Sequence, residues 1–213
     1  MNMKPENTDK DKAHREDRRV ARTRRALREA LLELIQEKGY AAVTVEEITE
    51  RANLGRATFY LHYKDKEELL LEQFSELASE RARLLSDVPL AAWQTGANLP
   101  IMPLLSIFQH VSENIDLYKT VLRGEGHFRV ADRLRNIIAV TIGEVITAIA
   151  RNEAPNLRLQ IPLEFLASYF AGALLGSIAW WLELDAAQRP TPEEMALSFQ
   201  KMFIPGMREI VGV

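Results

Sequence analysis

The sequence contains no cysteine among its 213 residues. Disulfide bonds and thiolate metal sites are therefore excluded, which is typical of a protein from the reducing cytoplasm. The four histidines, at positions 14, 62, 110 and 127, lack the spacing of metal ligands. We therefore predict a cytoplasmic protein that uses no metal ion and no cofactor.

Long uninterrupted apolar runs are also missing, and the charged N-terminus does not resemble a secretory signal. The most apolar stretch lies at about 161–184. It contains two glutamates and two serines, Glu164, Ser168, Ser177 and Glu183. This composition predicts a buried helix rather than a membrane span, and we expect no membrane association.

The short motifs of common enzymes are absent as well. The sequence has no G-x-G-x-x-G, P-loop, G-x-S-x-G or H-E-x-x-H motif. Acidic pairs such as Glu46-Glu47 and Glu193-Glu194 fall in predicted first helical turns, where carboxylates interact favourably with the helix dipole. We therefore predict that the chain is not an enzyme.

The formal net charge is −3, but the charge is unevenly distributed. Residues 1–28 hold ten Lys or Arg against five Asp or Glu, whereas residues 71–213 hold 12 basic and 16 acidic side chains. A basic N-terminal segment is suited to contacts with phosphates, although such a run can also be a solvated tail.

Apolar residues recur with a helical period, and no strand pattern or internal repeat is present. We predict an all-α fold of about nine helices. Residues 1–16 are expected to form a disordered polar arm, 17–64 a three-helix domain and 65–213 a C-terminal helical domain. The predicted helices lie at about 18–38, 45–52, 56–62, 66–85, 101–113, 115–123, 128–152, 162–184 and 191–210.

Local signals sharpen the N-terminal prediction. Gly39 is placed to end the first helix in a left-handed conformation, and Thr44 with Glu47 forms a T-x-x-E capping box at the start of the second. Asn53 tolerates the left-handed turn that follows. Two short helices joined by a tight turn and followed by a capped helix indicate a helix-turn-helix, which inserts one helix into the DNA major groove.

The third predicted helix carries the candidate DNA contacts. Arg56, Ala57 and Tyr60 are expected on its exposed side, with Phe59 in the core. Arg56 can donate two hydrogen bonds to guanine, and the methyl group of Ala57 can meet a thymine methyl. The expected phosphate contacts are Thr44, Thr58, Tyr60, His62 and Lys66. Alternatively, Tyr60 and His62 are ordinary packing residues of a small helical domain.

The run from Ala52 to Leu70, with its T-F-Y-x-H-[aromatic]-x-x-K-x-x-L-L pattern, resembles the DNA-binding domain of TetR/AcrR-type bacterial repressors. The similarity covers about Arg18–Leu71. It implies a homodimer on double-stranded DNA, with Arg56, Ala57 and Tyr60 near bases or adjoining phosphates and Thr44, Thr58, His62 and Lys66 at the backbone. Gly55 departs from the serine or threonine that is commoner at this position, so one capping or phosphate contact is expected to be missing.

The C-terminal half resembles a subgroup of these regulators that includes dihydroxyacetone-kinase regulators. The similar segments are Tyr118–Gly124, Phe165–Gly176, Trp180–Leu182 and Thr191–Met195. This resemblance implies that some relatives respond to a protein partner rather than to a free metabolite.

A dimer seam is expected in the last two helices, because the four-residue spacing of Gly172 and Gly176 allows two helix backbones to approach closely. Alternatively, both helices only complete the core of one chain. The predicted interface residues are Ser168, Gly172, Gly176, Met195, Phe199 and Met202.

A ligand cavity among the middle helices is a further hypothesis, the alternative being plain core. Its predicted lining is Phe74, Phe108, His110, Tyr118, Phe128 and Trp180. We predict a repressor that binds a palindromic operator as a dimer, with a small-molecule effector that changes the separation of the two DNA-binding domains through the fourth helix. The alternatives are a helical protein-interaction module and a co-activator-dependent regulator without a small-molecule ligand.

Overall fold

The computed structural model describes residues 7–86, 88–89, 101–123, 127–153 and 159–210, without the side chains of 7–16, 86, 123, 127–128, 152–153, 204 and 207–210. Within these ranges the chain is all-α, as predicted, and it contains no strand. The helices are α1 (Asn7–Lys38), α2 (Val45–Arg51), α3 (Arg56–Tyr60), α4 (Lys66–Ser86), α5 (Met102–Glu113), α6 (Ile115–Arg123), α7 (His127–Glu153), α8 (Leu163–Glu183) and α9 (Pro192–Ile210), and a short 3₁₀ turn spans Tyr40–Ala42.

The first helix begins earlier than predicted. Residues 7–16 belong to α1, where a disordered arm was expected. The prediction was wrong for these residues because it relied on apolar periodicity, which they lack. Good helix formers such as Lys, Glu, Ala and Arg extend a helix that already has a packed part, and the segment contains no glycine or proline.

The chain divides into two compact units, Met1–Leu70 and Leu71–Val213. In the first unit, α1 contributes an apolar face to the core, and α2 and α3 each add one fully buried apolar side chain. The buried apolar residues of these helices are Leu27, Ala30, Leu31, Leu34 and Ile35 from α1, Ile48 from α2 and Phe59 from α3.

The capping and turn signals predicted for this unit are confirmed, with one difference, although α3 ends at Tyr60 and not at about residue 62. Thr44 and Glu47 form the complete capping box at the start of α2, and Asn53 has a positive φ of 53°. Gly39 also has a positive φ of 77°, but its ψ is 153°. This conformation lies outside the left-handed helical region and is open in practice to glycine alone, so the turn after α1 depends on a residue without a Cβ.

Ion pairs connect α2 to α1. Arg51 contacts Glu33 at 3.0 Å and Glu37 at 2.8 Å, and Lys38 pairs with Glu47. Hydrogen bonds from the Lys38 ammonium and the Thr44 hydroxyl lower the pKa of Glu47 to about 2. The carboxylate that caps α2 is therefore ionised at neutral pH, and it also binds the end of α1.

The second unit is built around α8, which packs along α7 and buries one face. Its buried residues are Leu166, Ala167, Phe170, Ala171, Leu174, Leu175, Ile178, Trp181 and Leu182. Phe170 stands edge-on to Phe199 and Phe203 of α9, with ring centroids 5.2 and 4.5 Å away. Pro205 lies inside α9, which nevertheless continues to Ile210. By length and composition α8 would be able to cross a membrane, but half of its most apolar window is buried inside the protein.

Candidate functional site

The third helix presents a small exposed surface. Arg56 and Ala57 are exposed, and 53% of the Tyr60 side chain is accessible, whereas Phe59 between them is completely buried. The Phe59 ring packs edge-on against Tyr60 at 5.4 Å and lies 5.7 Å from Tyr63. The buried ring therefore anchors α3 while its neighbours face solvent, as the sequence pattern predicted.

The start of α3 is open. Gly55 is its N-cap, and no side chain caps the first turn. The Arg56 guanidinium lies 3.9 Å from the Glu46 carboxylate, and both side chains are more than half exposed. Because such an exposed pair contributes little, Arg56 can leave Glu46 for a base edge at small cost.

The predicted phosphate contacts differ in how freely they can act. Thr58 and His62 are half-buried at the rim of α3. Thr44 is exposed, but its hydroxyl donates to a Glu47 carboxylate oxygen at 2.8 Å and accepts from the Glu47 amide at 3.3 Å. Thr44 is therefore engaged in the cap, and its hydroxyl would have to turn to donate to a phosphate.

Lys66 has a role that the sequence did not predict. Its ammonium donates to the carbonyl oxygens of Tyr40 at 2.8 Å, Ala41 at 3.2 Å and Val43 at 2.6 Å, and it lies over the Tyr40 ring. These three bonds use all three of its N–H donors. Partial burial lowers the pKa of Lys66. The predicted phosphate contact is therefore corrected, because Lys66 joins the start of α4 to the turn before α2.

Replacing Lys66 by methionine is expected to leave three carbonyl oxygens without their partner. We expect the free energy of opening of the first unit to fall by about 1–3 kcal/mol, the cost of an unsatisfied polar group. Hydrogen exchange of the Ile48 and Phe59 amides in the full chain measures this loss. Lys64→Met is the control, because Lys64 is an exposed lysine two residues away. Equal protection in both variants would contradict the assigned role.

The sequence reasoning missed Leu61, whose side chain is 81% exposed directly after Tyr60. With the neighbouring Tyr60, which is 53% exposed, it places two large apolar side chains side by side at the end of α3, and this pair is the signal. The signal was hidden because Leu61 occupies the variable position of the T-F-Y-x-H pattern.

A second candidate surface runs along the outer face of α8. Phe165, Tyr169 and Trp180 are 62%, 63% and 51% exposed, and Gly172 and Gly176 lie between them at helical spacing. We call these five residues the α8 stripe. A Cβ atom at either glycine would meet no atom of another described part of the chain within 4 Å. The packing of this chain therefore does not require glycine there, although each glycine costs the helix about 1 kcal/mol relative to alanine.

The structure corrects three of the six predicted interface residues. Met195 and Phe199 are buried inside the chain, at 6% and 7% exposure, where Phe199 packs against Phe170. Ser168 turns toward α7 and accepts a hydrogen bond from Arg135 at 3.1 Å. Met202 is 84% exposed, so it remains available together with the two glycines. Beside Met202, a groove of about 360 Å³ between α8 and α9 is also lined by Phe165 and Tyr169 of the stripe.

An apolar cavity of about 90 Å³ lies inside the second unit. Phe74 and Tyr118 line it, as predicted, and among the described lining residues Arg81 alone is charged. Burial raises the pKa of Tyr118 above its ordinary value. The other lining residues come mainly from α4, α5, α7 and α8 and include Leu77, Leu104, Ile107, Leu134, Ile138, Thr141, Ile142 and Ile178.

The other predicted cavity residues lie elsewhere. Trp180 faces outward on α8, and the buried indole belongs to its neighbour Trp181, whose Nε1 donates to the Pro190 carbonyl oxygen at 2.7 Å. Phe108 packs edge-on against Trp181 rather than lining the cavity. His110 lies behind Tyr118, where burial and the nearby Arg81 lower its pKa. The side chain of Phe128 lies outside the described residues.

Comparison with known proteins gives two family matches. Residues 27–72 match the family described as bacterial regulatory proteins of the tetR family, and residues 102–205 match a transcriptional regulator C-terminal region. A curated relative, the HTH-type transcriptional regulator YxbF of Bacillus subtilis, is 45% identical over 73 residues. That match covers 34% of this chain and only 19% of YxbF.

Solved structures resemble the whole chain. A TetR transcriptional regulator from Streptococcus agalactiae is 25% identical, with a TM-score of 0.55 over 89% of this chain and 98% of that one. RolR in complex with resorcinol is 20% identical, with a TM-score of 0.54 over 92% and 96%. The dihydroxyacetone kinase operon activator DhaS is 17% identical, with a TM-score of 0.54 over 89% and 98%. The last two likenesses concern the fold alone, so the subgroup suggested by the sequence stays a prediction.

Proposed function

The chain belongs to the TetR family of DNA-binding transcriptional regulators, which are not enzymes, and from this premise we propose that it is a cytoplasmic, effector-responsive repressor. In this proposal a homodimer occupies a near-palindromic operator and blocks the promoter. One observation carries the DNA-binding part: α3 exposes Arg56, Ala57 and Tyr60 while Phe59 fixes the helix from inside.

The proposed DNA contacts divide into two groups. Arg56 and Ala57 read base edges at the start of α3, as the start of a recognition helix does in the major groove. Tyr60 lies near bases or adjoining phosphates. Thr58 and His62 contact phosphates and thereby position α3. Thr44, the N-cap of α2, contacts a phosphate at the start of that helix. Lys66 acts indirectly in this proposal, because its bonds hold the turn that leads into α2.

The α8 stripe supports the proposed dimer. Two copies related by a twofold axis would bury the exposed aromatic rings against each other, and the open space at Gly172 and Gly176 would admit the partner helix. Met202 extends the same apolar surface onto α9. Such a dimer would present two copies of α3 to half-sites about 34 Å apart or a multiple of that distance.

The apolar cavity supports the proposed effector response. RolR, which shares the fold, was crystallised with resorcinol, a small ring. The 90 Å³ cavity is smaller than the pockets of roughly 300–1,000 Å³ that hold drug-sized ligands. The effector is therefore a small molecule, or the cavity widens as it enters. Identical separation of the two α3 helices with and without bound effector would refute this part of the proposal.

The proposal predicts selective, salt-sensitive DNA binding by the full chain. Incubation with a random-sequence duplex library should enrich a near-palindrome whose half-sites are spaced by whole helical turns. The affinity for that sequence should fall steeply as salt rises, because phosphate contacts release counterions. A protein-interaction module would enrich no sequence and would show no salt-sensitive affinity for DNA.

A further inference from the structure

The solvent-facing side of α1 carries a concentration of arginines. Five of the eight residues from Arg18 to Arg25 are arginine, and none is acidic. Four of these arginines are exposed, whereas the fifth, Arg24, is half-buried. We call the four exposed residues Arg18, Arg19, Arg22 and Arg25 the α1 arginine cluster.

The contacts of the described residues do not explain why the first unit carries this cluster. Arg18 and Arg22 are four residues apart on one helix face, a spacing at which like charges destabilise a helix. Among the described residues, none of the four forms an ion pair. Arg51 of α2, in contrast, pairs with two carboxylates of α1, those of Glu33 and Glu37. The cluster therefore lacks the structural explanation that Arg51 has.

The cluster lies on the solvent-facing side of α1, N-terminal to its fully buried part. The buried side chains of this helix begin at Leu27, whereas Val20, Thr23 and Arg24 in the preceding turns are half-buried. Where α1 leaves the core, the Arg24 guanidinium lies 6.0 Å from the centre of the Tyr63 ring. Tyr63 directly follows His62, at the C-terminal end of α3. The turn of α1 that contains Arg24 therefore lies near the residues that follow the proposed recognition helix, and the cluster occupies the same stretch of α1.

The chemistry of the cluster fits a phosphate backbone. Guanidinium groups bind phosphate oxygens in a bidentate manner and stay charged at all physiological pH values. The cluster contains no lysine and no aromatic side chain, and it offers no apolar surface for an apolar partner. Evenly repeated anions along a rigid duplex match a row of cations at helical spacing better than a single anionic ligand does.

We propose that the α1 arginine cluster is a second DNA-binding surface, which contacts the phosphate backbone beside the segment occupied by α3. It adds affinity and lengthens the contacted DNA without reading bases. This inference rests on the proposed DNA-binding function, and it assigns to the regulator a surface outside the helix-turn-helix.

The test compares two triple variants with equal changes in net charge. Arg18→Gln/Arg22→Gln/Arg25→Gln alters the cluster, and Arg83→Gln/Arg129→Gln/Arg151→Gln alters exposed arginines of the second unit. On the enriched operator, each lost phosphate contact should reduce the slope of log affinity against log salt by about 0.9. For a dimer of the cluster variant, the slope of log affinity against log salt should therefore be smaller in magnitude by roughly 2–5 than for the wild-type dimer. Its preference among operator variants should stay unchanged, and its hydroxyl-radical footprint should shorten.

Three results would overturn the inference: an unchanged slope, an unchanged footprint, or an equal slope change in the control variant. Lysine at the same three positions should retain most of the slope, which separates loss of charge from misfolding. An acidic protein or an anionic membrane as the true partner would leave DNA binding by the glutamine variant at the wild-type level. If the wild-type chain enriches no sequence, the proposed function fails, and that outcome is distinct from these three.

Discussion

Tyr169→Glu is expected to convert the protein into a monomer and to weaken operator binding by about 10²–10⁴-fold, the gain that linking two binding modules provides. Tyr169 lies within the α8 stripe, one turn before Gly172, and is 63% exposed in the single chain. In a twofold dimer the substitution buries a carboxylate on each side of the seam, and an unpaired buried charge costs about 3–5 kcal/mol. Sedimentation measures the mass, and titration of the operator measures the affinity.

Val140→Glu provides a matched control for this experiment. Val140 is 62% exposed on α7, away from the stripe, so the substitution adds the same charge at nearly the same exposure. We expect this variant to remain dimeric with normal affinity. A Tyr169→Glu protein that stays dimeric, or a Val140→Glu protein that dissociates equally, would show that the dimer uses a different surface.

Arg56→Ala is expected to cost about 1–3 kcal/mol at each half-site and to relax the preference for one base pair. The reason is that a guanidinium at the start of α3 can donate two hydrogen bonds to guanine, which alanine cannot replace. Affinities measured for operators with every base at each position show which preference is lost. Because the dimer reads two half-sites, the loss of binding free energy on a symmetric operator is twice the loss at one half-site.

Two further variants distinguish base reading from charge alone. Arg56→Lys keeps the charge but loses the planar fork, so it should retain the salt dependence and still lose preference at the same base pair. Arg83→Ala, an exposed arginine of the second unit, should change neither property. Equal losses on every operator sequence for Arg56→Ala would assign Arg56 to a phosphate instead.

The sequence predicted those features that depend on local chemistry. The capping box at Thr44, the positive φ of Asn53 and the inward position of Phe59 follow from side chains within a few residues of each other. The start of α1 at Asn7 was not predicted, because helix propensity extends this helix beyond the residues that form its apolar face.

The features that were mispredicted depend on distant packing. Periodicity shows that α8 and α9 are apolar on more than one side, but it does not say which side meets the chain's own core. Phe199 was therefore placed at the surface and Trp180 inside, although their exposures are the reverse. The incorrect prediction for Lys66 has the same cause, because the carbonyl groups that it binds lie 23 to 26 residues earlier in the chain.

The empty space above Gly172 and Gly176 has a consequence for partner choice. In the proposed dimer each glycine pair lets the opposing backbone come close, so a paralogue with bulkier residues at these positions would collide with this chain. Mixed pairs between two such regulators would be disfavoured by shape alone. Because these two positions are glycine, the subunits of one regulator would thus pair with each other and not with those of another regulator in the same cell.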